Sequence, residues 1–214
     1  MRPLAEVGGV RYGLVDGPDV PAMVHMLADA FSKHDPPAIA LGLSAADVEK
    51  IVQILAEKAL DEDVTVVAES DVGELIGAML TEDFGTPPPE LSAAPPGFAA
   101  LGALLDQLEN EYRGMYSVSP GTDLHLFMVG VSERFGGRGV AQKMVELCIE
   151  NGARRGYRRA FAETTGRTSQ HIFQKAGFHE RSRVSYGDFR YEERRVFASI
   201  AGEGGTLLMV RSLV

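Results

Sequence analysis

The segment 124–149 constrains the fold more than any other. Residues 124–131 form an apolar run that reads as a strand. Arg134-Phe135-Gly136-Gly137-Arg138-Gly139-Val140-Ala141 follows, and then Ala141, Met144, Val145, Cys148 and Ile149 recur at i, i+3, i+4, i+7 and i+8. That spacing is the apolar stripe of an amphipathic helix, and Gly156 suits the position just past its end. A strand that feeds a glycine turn and then a helix gathers backbone N–H groups at the positive end of the helix dipole. Such a turn suits a pyrophosphate, with Arg138 able to add a charge-assisted contact. It also serves as a plain tight connection, and taken alone the turn leaves both readings open.

The rest of the chain supplies partners for this unit. Downstream, 159–165 reads as a strand, 168–176 as a short helix ending at Gly177, and 179–186, 196–200 and 207–210 as closing strands. Upstream, 10–15 reads as a strand. Asp19 and Pro21 open a helix carrying Val24, Leu27, Ala28 and Phe31, which Pro36 and Pro37 stop. Ser44 with Asp47 resembles a capping box before Val48, Ile51, Val52 and Leu55. Strands at 64–69 and 75–82 flank a turn at 70–73, the Pro-rich stretch 85–97 is a loop, and 98–113 is helical. The pattern predicts an α/β fold: a mixed central β-sheet flanked by helices, in a single domain spanning 1–214.

Composition narrows the function. The 214 residues carry a net charge of −9, which disfavours nucleic acid as a partner and weakly favours cationic substrates. No apolar run approaches the roughly 18–20 residues that span a bilayer, and the N-terminus lacks the apolar core of a signal peptide. Cys148 is the single cysteine, so no intrachain disulfide is possible. A cytoplasmic protein without a membrane partner is expected. His34, His171 and His179 show no metal-ligand spacing, so no metal is expected. Cys148 lies on its helix's apolar stripe and reads as core.

Some thirty residues beyond the glycine turn stands Thr165-Gly166-Arg167-Thr168-Ser169-Gln170-His171-Ile172-Phe173-Gln174-Lys175-Ala176-Gly177-Phe178. The pair of motifs resembles the GNAT superfamily. Arg134-x-x-Gly137-x-Gly139 matches its Q/R-x-x-G-x-G/A turn, and Lys175 to Phe178 matches its K-x-G-F-like signature. Gly136 departs from the pattern, standing where the family often has Arg. Phe31-Ser32-Lys33-His34-Asp35-Pro36-Pro37 looks like the F-x-x-D-E-P-L segment of the insect-type arylalkylamine N-acetyltransferases. Thr165 and Ser169 fall where that branch has two serines.

The resemblance implies the GNAT fold and transfer of the acetyl group of acetyl-CoA to a primary amine, by a monomer or homodimer. It implies that the backbone of Met128, Val129 and Val131 holds pantetheine, with Gly130 allowing a bulge or a close approach to ligand. The pyrophosphate then lies over Gly136, Gly137, Arg138, Gly139, Val140 and Ala141, with Ser169 and Phe173 also at the cofactor. It points to Asp35 as general base, with His125 as the rival, and to Thr165 and Ser169 as a hydroxyl relay. Phe173 occupies the place of a tyrosine acid in many GNAT enzymes and cannot donate. Acceptors other than a small amine, namely a protein amine or an antibiotic amine, stay open, as does an acyl-CoA-binding module without catalysis.

Overall fold

The computed structural model describes residues 1–90 and 94–214. Its strands are β1 (Arg2–Val7), β2 (Val10–Leu14), β3 (Val66–Glu69), β4 (Leu75–Asp83), β5 (Asp123–Val131), β6 (Arg159–Thr164), β7 (His179–Ser185) and β8 (Gly205–Ser212). They form one eight-stranded sheet in the order β1-β2-β3-β4-β5-β6-β8-β7. Among the described residues β5 and β6 pair in parallel, and the other neighbours are antiparallel. The helices are α1 (Val20–His34), α2 (Pro36–Leu41), α3 (Ala45–Glu62), α4 (Ala99–Met115), α5 (Val140–Arg154) and α6 (Arg167–Lys175). Residues of α1 to α4 share one apolar cluster on one face of the sheet, and those of α5 and α6 share another on the opposite face. None of the described helices is long and apolar enough to cross a membrane.

Local chemistry explains the main elements. Ser44 Oγ accepts from the Asp47 N–H at 3.2 Å, and Asp47 accepts from the Ser44 N–H at 3.1 Å, so the expected capping box opens α3. Val48, Ile51, Val52, Ala56 and Ala59 are its buried face. The two prolines that stop α1 also start α2, where a missing N–H costs nothing. Cys148 is fully buried, as its place on the α5 stripe requires.

The structure departs from the sequence reading in places. Residues 196–200 are not a strand; Ala198–Glu203 is a 3-10 turn. The apolar residues that suggested a strand plug the core instead: Phe197 is fully buried, with its ring centroid 5.6 Å from Tyr186 and 5.5 Å from Phe189. β1 was not expected, because an exposed edge strand containing Pro3 shows no alternation. Of the loop at 85–97, residues 91–93 lie outside the described residues.

One irregularity positions the site. β4 and β5 pair Leu80 with Met128 but Thr81 with Leu126, so Phe127 is an extra residue on β5. Such a bulge bends a strand and increases its twist. β5 pairs with β6 only through Asp123, Leu124 and His125. Beyond His125 the two strands part, and one edge of β5 faces a gap.

Candidate active site

That gap opens into a cavity of about 860 Å³. Its walls are β5 from Leu126 to Val131, the turn leading into α5, the end of β6 with the start of α6, and the junction of α1 and α2. Val48 and Ile51 of α3 and Leu101 and Leu105 of α4 close the far side.

The glycine turn has the backbone that a bound anion needs. Gly137 and Gly139 have φ of +70° and +79°, which other residues adopt with strain, and none of the described residues comes within 4 Å of where a Cβ would stand on either. Gly139 is the N-cap of α5 and has no side chain to satisfy the first N–H groups of the helix, which are left for a ligand. Gly136, Gly137, Gly139, Val140 and Ala141 line the cavity, as do Met128, Val129, Val131, Ser169 and Phe173. Arg138 does not; its guanidinium sits 5.1 Å from the centroid of the Phe135 ring. Gly130 lines the cavity too, but a Cβ there would meet Leu27 at 2.9 Å, so the closest approach it permits is that of α1 to the sheet.

Asp35 lies at the opposite wall. It is the N-cap of α2, and its Oδ2 accepts from the Ala38 N–H at 2.9 Å. Its Oδ1 accepts from the Thr165 hydroxyl, which ties α2 to the end of β6 across the cavity. Burial pushes the Asp35 carboxyl above its ordinary range, against the opposing pull of those two hydrogen bonds. Tyr186 holds the same corner by donating to the Thr165 carbonyl at 2.6 Å. Ser169 Oγ donates to the Gly166 carbonyl at 2.8 Å and accepts from the Gly166 N–H at 3.3 Å, at the start of α6 in the cavity wall. Phe173 is buried edge-on against Phe178, ring centroids 5.0 Å apart.

His125 is not part of the cavity lining. It is fully buried, with Nδ1 2.9 Å from Glu82 and Nε2 2.7 Å from Glu163, and its ring stacks on Phe161 at 4.4 Å. Burial alone would depress its pKa, but the two carboxylates outweigh that and hold it up at about 10. Glu82 is correspondingly held down at about 2: burial opposes ionisation, and His125 and Lys58 overcome it. Candidate ligand atoms of Glu109, His125 and Glu163 lie within 4.8 Å of one another, a grouping that no spacing in the sequence foretold. The only available signal was a histidine on an otherwise apolar strand.

The model of the GNAT acetyltransferases matches residues 44–178. The chain belongs to the GNAT acetyltransferase family. It is an acetyl-CoA-dependent N-acetyltransferase, and the mixed sheet with a splay between two parallel strands is the GNAT fold. Solved structures superpose over nearly the whole chain at low identity. The C-terminal condensation domain of Ebony, in complex with beta-alanyl-dopamine, has a TM-score of 0.87 at 15% identity, covering 95% of this chain and 98% of its own. Arylalkylamine N-acetyltransferase 2 from Aedes aegypti has 0.83 at 18%, covering 97% and 100%. The Drosophila melanogaster polyamine N-acetyltransferase that forms N-acetylagmatine has 0.73 at 16%, covering 95% and 99%. At such identities these likenesses speak for the fold. Acetyl-CoA suits the residues present: a glycine cradle open at both Cβ positions, a strand edge without a partner strand, and a cavity between them of sufficient volume.

Proposed function

We propose that this GNAT protein acetylates the primary amine of a small, arylalkylamine-like molecule by direct attack on the thioester, with Asp35 as general base. The observation that carries this reading is the place of Asp35: a buried carboxylate in the wall of the same cavity as the glycine turn, oriented by Thr165. Burial raises its proton affinity toward the range a base needs, since an ordinary aspartate is too weak. His125 is less suited, because a histidine held at about 10 is already protonated near neutral pH and lies behind the cavity wall.

In this reading the glycine turn and the N-terminus of α5 hold the pyrophosphate, and the backbone of Met128, Val129 and Val131 holds pantetheine. Asp35 takes a proton from the acceptor ammonium. The amine nitrogen forms the C–N bond as the C–S bond breaks. The hydroxyls of Thr165 and Ser169 lie on the wall from which a proton returns to the departing thiolate. Apolar walls from α3 and α4 enclose the acceptor end, which supports a small amine over a protein chain. The same reading sets the reaction in a single domain, as monomer or homodimer, in the cytoplasm and without metal, membrane or nucleic-acid partners. The lone buried Cys148 and the net charge of −9 support that setting.

Asp35→Asn tests it. Asparagine caps a helix as well as aspartate does, so α2 is kept and the base is lost. The expected result is a fall in kcat/KM of roughly 10²–10⁴, smaller at high pH where more amine arrives neutral, with acetyl-CoA affinity unchanged. A full-rate Asp35→Asn, alongside a His125→Gln whose large loss is rescued by high pH, would transfer the role to His125.

A further inference from the structure

Tyr186 is a buried polar group beside the cavity that the acetyl-transfer chemistry leaves unused. It stands just past the end of β7, where its N–H donates to the Gly204 carbonyl at 3.1 Å, and its side chain is fully enclosed against Phe197. The phenol makes two hydrogen bonds. It donates to the Thr165 carbonyl at 2.6 Å and accepts from the Thr206 hydroxyl of β8 at 3.0 Å. It does not line the cavity.

Thr165 is where such support is needed. The ladder between β6 and β8 ends where Thr164 pairs with Leu207, and β6 has already left β5 at Phe161. Thr165 therefore lies beyond the last sheet pair, yet its hydroxyl is the one that donates to Asp35. Among the described residues the donor to its carbonyl is Tyr186. Gly166 follows, and a Cβ there would stand 3.4 Å from the Pro36 ring, so the chain at this point is seated against the start of α2. A threonine side chain is stiff about χ1, so fixing the backbone of Thr165 narrows where its hydroxyl points.

We propose that Tyr186 is a positioning residue of the acetyl transfer: it takes over from the sheet where β6 ends, holds the Thr165 carbonyl, and so aims the Thr165 hydroxyl at Asp35. This rests on Asp35 being the base. The phenol does not itself deliver a proton, because its hydrogen is engaged by the Thr165 carbonyl outside the cavity. It is also a lasting donor. Burial raises its pKa well above the ordinary range, the Thr206 bond pulls it down, and the Asp35 charge adds to the rise. Burial raises the Asp35 carboxyl as well, and the Thr165 bond opposes that rise, so losing the bond moves Asp35 further up. The other titratable or charged groups that line the cavity are His34, Glu163, Arg167, His171, Lys175 and Glu203. Among the described residues the bonds to the Asp35 carboxylate come from Ala38 and Thr165.

The test follows thiol release from acetyl-CoA across pH, with phenethylamine as acceptor. Tyr186→Phe keeps the ring and loses the hydroxyl. Its kcat is expected to fall about tenfold, and the acidic limb of its kcat–pH profile to move up by about one pH unit, the effect of losing a hydrogen bond to a charged group. KM for acetyl-CoA should not change. In a Thr165→Val background the same change should cost less than about twofold, because the bond it serves is already gone. Thr206→Val removes the phenol's other bond and keeps the one to Thr165, so it should lower Tm without moving the limb. If Tyr186→Phe does not fold, Tyr186→Phe combined with Thr206→Val takes its place, since removing both members of a buried pair is gentler than orphaning one.

A Tyr186→Phe variant with the wild-type kcat and limb, beside a crippled Asp35→Asn, overturns the proposal and leaves the reading of Asp35 intact. A fall in kcat with the limb unmoved, or a full further loss in the Thr165→Val background, separates Tyr186 from Thr165 and also overturns it. An Asp35→Asn that keeps the full rate removes the reading of Asp35 and this inference with it.

Discussion

Glu109 shows how a single residue near the cavity trades stability for charge. Burial pushes its carboxyl up to about 7; His125 pulls the other way, and Glu163 and Glu82 add to the rise. The folded protein then binds a proton that the unfolded chain has released, across the window from the ordinary 4.5 to about 7. Stability contributed by this group is present below that window and is lost as pH rises through it. Glu109→Gln is therefore expected to raise stability at pH 8, on the order of 1–3 kcal/mol, and to change it little at pH 4. Urea melts at the two pH values check this; equal effects at both would detach the carboxyl from the pH dependence. Asp35 behaves in the same sense. Asp35→Asn keeps the cap, removes a buried charge, and should melt no lower than the wild type, whereas Asp35→Ala loses the cap and about 1 kcal/mol.

Among the elements, the turn into α5 carries the clearest demand on backbone. Gly139→Val forces a branched residue to φ of +79° and places a side chain where the phosphates are expected, and should weaken CoA binding tenfold or more by calorimetry. Gly9→Ala, at φ of +77° in the β1–β2 turn, meets comparable strain far from the cavity and should leave CoA affinity unchanged. If both variants bind CoA like the wild type, the cradle lies elsewhere. This turn was legible in the sequence because strand, glycines and a helical stripe follow one another within one local stretch. The capping box of α3 was legible for the same reason. The Glu82–His125–Glu163 chain was not: its links join residues 43 and 38 apart, on three strands, and each glutamate alone looks like an ordinary surface charge. Residues 196–200 misled because burial of Phe197 in a turn leaves the same apolar trace as burial in a strand. Residues 2–7 left no trace, because an exposed edge has nothing to alternate against.

For the molecule as a whole, the decisive feature is the position of β8 between β6 and β7. It pairs along Arg159–Thr164 on one side and His179–Ser185 on the other. Gly205 starts it at a point where an added Cβ would stand 2.2 Å from the Val184 carbonyl oxygen. Gly205→Ala is expected to cost about 1–3 kcal/mol, seen as a lower Tm, with looser protection of the β7 amides in hydrogen exchange; an unchanged Tm would show that β7 is free to shift. The order of these strands also sets a schedule on the ribosome. Strands β1 to β5, with α1 to α4, are synthesised first and are neighbours in the sheet, so they are able to associate as they emerge. β6 and β7 emerge before the strand that joins them, and the cavity wall built from β6 and α6 lacks its outer support until residue 212 is clear of the exit tunnel. A nascent chain stalled before that point should carry a folded acceptor wall and no working enzyme, so activity waits on the emergence of β8.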